Sequence, residues 1–144
     1  MTGDHAWTRL GLRIVIAAFY LLAGYTHLHS PEPFLLITPD FVPFKREVIF
    51  ITGLCEIAGA IGLFIPMTRK LAGAGLALYA LCVFPANIKQ AMEHIIVPGL
   101  PDTWWYHGPR LLLQPVLIWA TLFSVRLIDW PARAGETDPQ SAEP

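Results

Sequence analysis

Val83-Phe84-Pro85-Ala86-Asn87-Ile88-Lys89-Gln90-Ala91-Met92-Glu93-His94 is the stretch on which the reading of this chain turns. An apolar run of small residues enters it from Leu71, and it ends in a proline, an asparagine and then charged groups. Pro85 lacks a backbone donor and its ring crowds the preceding turn, so a helix that bends here is expected. Helical spacing sets Asn87, Gln90 and His94 on one face, at i, i+3 and i+7. A polar face at the end of an apolar helix needs partners, and three further apolar stretches offer them.

Of the 144 residues, 54% are hydrophobic and only 15% charged, with a mean hydropathy of +0.49. Soluble domains carry roughly 25% charged residues, so the deficit points to a lipid bilayer. One domain is expected at this length, and a net charge of −1 gives no grip on nucleic acid. Cys55 and Cys82 lie inside apolar runs with no C-x-x-C or zinc spacing. They read as small packing residues rather than a redox pair.

Residues 1–8 form an N-terminal segment, and the first span covers about residues 9–29, ending in Gly24-Tyr25-Thr26-His27-Leu28-His29. It is too long for a secretory signal and lacks a small-x-small cleavage site. Residues 30–45 hold Pro31, Pro33, Pro39 and Pro43 among Phe34, Ile37 and Phe41. That proline density argues against regular helix and predicts an irregular apolar lid over the helix ends. The second span, 47–66, carries Gly53, Gly59 and Gly62, small residues that let helices approach closely. Only Met67-Thr68-Arg69-Lys70 separates it from the third span, 71–91, so the two are antiparallel neighbours. Residues 95–108 form a second long connection, in which Trp104-Trp105-Tyr106 resembles an interfacial belt. The fourth span is 110–128, and the proline-rich polar tail 131–144 reads as disordered.

The expected fold class is therefore all-α: an integral membrane four-helix bundle over residues 9–130, up-down-up-down, with two long outer loops. Both termini then share a side with Arg9, Arg13, Arg69, Lys70, Arg126 and Arg133. The opposite side has Lys45, Arg46, Lys89 and Arg110, so the positive-inside bias favours cytoplasmic termini.

This threading gathers His27, Asn87, Arg110 and Gln114 in the outer half of the bundle. Glu56 lies nine residues past Glu47, about 14 Å along its helix and near the middle of a hydrocarbon core of roughly 30 Å. A charge there costs about 2.5–3.5 kcal/mol, so Glu56 needs a partner or a proton. The five side chains are expected to form one connected cluster. Three readings of it stay open: a network that only fixes helix packing, a site for a small lipophilic ligand, or an acid–base role for Glu56 or His27. His29, His94 and His107 are expected at a wet interface, without metal-site geometry.

Gly24-x-x-His27 before the proline-rich loop, Gly53-x-x-Glu56, Phe84-Pro85-Ala86-Asn87, and Arg110-x-x-x-Gln114 with Trp119 follow one another over residues 9–128. In this set the chain resembles the DoxX-like membrane proteins, small four-helix proteins of the bacterial inner membrane. That family is named for a subunit associated with thiosulfate:quinone oxidoreductase, and some relatives accompany redox or thiol-handling partners. The resemblance implies a multi-pass protein of the bacterial inner (plasma) membrane, a quinone as candidate ligand and a redox protein as candidate partner. The lack of a cysteine pair at loop-facing positions argues against disulfide exchange by this chain itself.

Overall fold

A computed structural model describes residues 4–130. Residues 1–3 of the expected N-terminal segment and the expected disordered tail, 131–144, lie outside the described residues. Among the described residues the fold is all-helical, with five helices and no strand: α1 (Asp4–His29), α2 (Glu32–Ile37), α3 (Lys45–Gly62), α4 (Arg69–Met92) and α5 (Trp104–Ser124). The four long helices close a ring in which α1 packs on α3 and α5, and α4 packs on α5 and α3.

Small residues set the closeness of that ring. A Cβ built on Gly24 of α1 would stand 2.7 Å from the Gly53 carbonyl oxygen of α3, and one on Gly53 would stand 2.9 Å from the His27 Cβ. The two helices therefore meet backbone to backbone, with His27 of α1 set against Gly53 and Glu56 of α3 set against Gly24, so that the two side chains reach each other across the glycine contact. Gly59 makes room for Leu76 of α4, and Gly73 of α4 makes room for Val125 just past α5. Ile16, Ala17, Tyr20, Ala60, Leu63, Leu76, Ala120 and Val125 form the buried core. The Tyr20 hydroxyl donates to the Leu76 carbonyl at 3.0 Å, satisfying a phenol that is otherwise enclosed.

Arg9 ties the two ends of the described chain. Its guanidinium donates to the Phe123 carbonyl (2.6 Å) and to Asp129 (2.9 Å), and stacks 4.1 Å from the Phe123 ring centroid. The start of α1 and the end of α5 thus lie at one end of the ring, opposite the segment 30–44.

The outward faces are apolar. Val15 and Leu22 of α1, Phe50 and Leu54 of α3, Leu78 and Leu81 of α4, and Leu112 and Val116 of α5 are all exposed. α1 and α4 are long and apolar enough to cross a membrane by length and composition. Only 22% of the most apolar window of each is buried, whereas a soluble core helix of that length would be mostly covered.

Three local expectations need correction. The proline-rich segment is not wholly irregular: Pro31 caps α2 and Pro33 stands in its first turn, where a missing backbone donor costs no helical hydrogen bond. The fourth expected span, α5, begins at Trp104, not 110, so the aromatic run forms its first turns and Pro109 lies inside it. The second expected span, α3, ends at Gly62 rather than 66, and the residues up to Thr68 form turns. At the start of α3, Phe44 adopts the left-handed conformation (φ 49°), a backbone cost of about 1–3 kcal/mol that ends the lid segment sharply.

Candidate functional site

One cavity of about 780 Å³ opens between the long helices beneath segment 30–44, and His27, Glu56, Asn87, Arg110 and Gln114 all line it. Phe19, Phe34, Val48, Ile49, Val83 and Leu113 supply apolar wall. Volume and lining fall in the range of small-molecule sites, roughly 300–1,000 Å³ with a few converging polar groups.

The five residues do not form one connected cluster. Among the described residues their hydrogen bonds resolve into two groups on facing walls. The first joins α1 to α3: His27 Nδ1 meets Glu56 Oε2 at 2.5 Å, with both side chains buried. The close passage of Gly24 and Gly53 brings these two together. The Phe34 ring of α2 stands edge-on to the imidazole, 4.0 Å between centroids, and shields the pair. Tyr79 of α4 interacts with both Glu56 and Thr52, so the α3 carboxylate faces groups from α1 and α4.

The second group joins α4 to α5. Arg110 donates to Gln90 at 2.5 Å and to the Asn87 side-chain oxygen. The Asn87 amide donates to Gln114 at 3.0 Å, and the Gln114 amide donates to the Ala80 carbonyl at 2.6 Å. Each amide accepts at one end and donates at the other, so the chain is directional and its members are mutually satisfied. Arg110 lies six residues past the first residue of α5, about 9 Å along the helix at 1.5 Å per residue. It also lies 5.7 Å from the Tyr106 ring centroid.

The lid closes the cavity with Phe34, Ile37, Thr38, Pro39 and Val42. Lys45 donates to the Thr38 carbonyl (3.1 Å) and to Asp40 (2.8 Å), and Lys89 of α4 lies 3.8 Å from the same carboxylate. The Lys45 hydrogen bond, then the charges of Lys45 and Lys89, hold the Asp40 carboxyl below the usual aspartate range. Phe41 and Phe44 do not pack inward; they are 80% and 78% exposed.

His94 does not join Asn87 and Gln90. The helix ends at Met92, His94 turns away with φ 50°, and its exposed ring lies 3.4 Å from Asp102. His107 is not wet: the early start of α5 carries it inside, where Nε2 lies 3.1 Å from Asp102. His29 is exposed and stacks on Tyr25. Cys55 and Cys82 are free and exposed, so neither is an interior packing residue; Cys82 borders the cavity. Among the described residues no group of three or more His, Cys, Asp or Glu could hold a metal ion. Sequence reasoning missed Tyr79, although it stands eight residues before Asn87 on the same helical face.

Over the described residues these features define an all-helical fold with an apolar exterior and a lidded cavity walled by two polar networks. Residues 16–125 match the domain of unknown function DUF8561, and the chain belongs to that family. No curated protein and no solved structure matches it.

Proposed function

We propose that this is a multi-pass integral membrane protein of the bacterial inner membrane, a four-helix bundle with cytoplasmic termini that holds a small lipophilic molecule in the lidded cavity. The observation that carries the reading is the pairing of an apolar exterior with buried ionisable groups around an open interior volume. In a bilayer such groups are costly, and they face a bundle interior where they serve a ligand or a pathway. The exposed aliphatic faces of all four long helices favour lipid over water as their solvent.

Within this reading, the resemblance to the DoxX-like proteins adds a quinone as candidate ligand and a redox protein as partner. A quinone has a carbonyl at either end of its ring, and the facing walls offer donors at His27 and at Arg110. A competing reading is that the networks serve packing alone; the self-contained chain from Arg110 to the Ala80 carbonyl favours it. Alkaline carbonate washing of cell membranes, followed by native mass spectrometry of the protein released with its lipids, tests the proposal. Retention in the membrane with a bound small molecule is expected. Release by carbonate refutes the membrane assignment, and a bare protein mass refutes the ligand.

A further inference from the structure

We propose that the cavity takes an anionic amphiphile, a single apolar chain ending in a carboxylate-type head, with the head on Arg110. This rests on the ligand-binding reading above and narrows it to a chemical class.

The charges around the cavity lead there. Two formally charged side chains other than histidine line it, Glu56 and Arg110. Glu56 is already matched, by His27 at 2.5 Å and by Tyr79. Arg110 is not: among the described residues no carboxylate lies within ion-pair distance of it. Its partners are the neutral amides of Gln90 and Asn87 and the face of Tyr106. A guanidinium has five N–H donors in a fixed fork; two are engaged by those amides, so three remain for a ligand. A positive charge beside an apolar volume is stabilised most by an opposite charge that arrives with the occupant.

The rim repeats the imbalance. Lys45 and Lys89 both converge on Asp40, two cations on one carboxylate, one residue beyond Pro39 of the cavity wall. An anion approaching beneath the lid meets net positive charge first at the mouth and then at Arg110. The aromatic and aliphatic wall would take the chain. A cavity of about 780 Å³ is in the range for one small ligand rather than a two-chain lipid.

The test uses the full-length protein in phosphatidylcholine nanodiscs and native mass spectrometry with three probes at equal concentration: decanoate, methyl decanoate and decylubiquinone. Decanoate is expected to bind at least about tenfold more tightly than its methyl ester, the increment of a charge-assisted hydrogen bond. Arg110→Met should erase the difference between acid and ester, and Arg110→Lys should restore part of it. The acid–ester comparison needs no mutation, so it stands even if a variant folds poorly. Adding phosphatidylglycerol checks the single-chain limit: undisturbed decanoate binding supports it, and displacement overturns it in favour of a two-chain bilayer lipid. Ester or quinone binding as tightly as decanoate overturns this inference and leaves the lipophilic-ligand reading standing. Binding of none of the three overturns both.

Discussion

Gly24→Ala tests the contact on which the site geometry depends. The added Cβ would lie 2.7 Å from the Gly53 carbonyl oxygen, 2.8 Å from Ile57 Cγ1 and 3.3 Å from Glu56 Cβ. Ordinary contact begins at 3.4 Å, so α1 and α3 must part by about 0.7 Å, since backbone cannot rotate away as a side chain can. His27 lies one turn along α1, and a shift of that size takes its 2.5 Å contact with Glu56 to the limit of a hydrogen bond. Overpacking costs about 1–3 kcal/mol, and weakening a buried pair adds to it. The better helix propensity of alanine returns about 1 kcal/mol. A net destabilisation of about 1–3 kcal/mol follows. Gly75→Ala is the internal control: nothing lies within 4 Å of its Cβ, so only the gain of up to about 1 kcal/mol applies. Unfolding in mixed micelles, titrated with sodium dodecyl sulfate, reads both. Equal and benign behaviour of the two variants would refute the backbone-to-backbone contact and the His27–Glu56 geometry built on it.

Glu56→Gln should cost less than about 1.5 kcal/mol, because the amide keeps one hydrogen bond to His27, whereas Glu56→Leu should cost about 1–3 kcal/mol more by stranding the imidazole. Equal melting of the two variants would show that the pair is not buried as described. Phe34→Ala should increase proteolysis of segment 30–44 and lower thermal stability, while Phe41→Ser should leave both unchanged, because Phe34 packs edge-on against His27 and Phe41 is 80% exposed. Matching effects from the two would contradict the lid's orientation. The Asp40 carboxyl is held below its usual value in the folded protein, so its tie to Lys45 and Lys89 is fully present above the unfolded pKa of about 3.9 and is lost as pH falls through the folded value. The difference in lid hydrogen exchange between wild type and Asp40→Asn should therefore be flat from about pH 8 to 5 and vanish only at lower pH. A change centred near neutrality would point to another group.

The helical character of the chain and the gathering of its polar residues were legible because both follow from spacing. Apolar runs of helical length mark the long helices, and up-and-down threading brings His27, Glu56, Asn87, Arg110 and Gln114 to one cavity. Which partner each chooses was not legible. Glu56 pairs with His27 rather than with Arg110 because Gly24 and Gly53 let α1 and α3 touch, a sub-ångström matter of helix separation. Proline misled in segment 30–45: Pro31 and Pro33 argued against helix, yet they stand at a helix start, where proline is tolerated. The fourth span, expected from 110, instead begins at Trp104 and runs through Pro109. The shifted start of α5 is also what buries His107, a residue that appears loop-like in sequence.

A cavity-filling variant gives the most direct measurement of ligand occupancy. Ala86 borders the cavity on α4, so Ala86→Trp should occupy ligand volume without removing a polar group. Native mass spectrometry of wild type and variant, each released from its own membranes, should show a bound small molecule on the wild type and none on the folded variant. The same bound mass on both proteins, or none on either, would contradict a ligand-holding cavity.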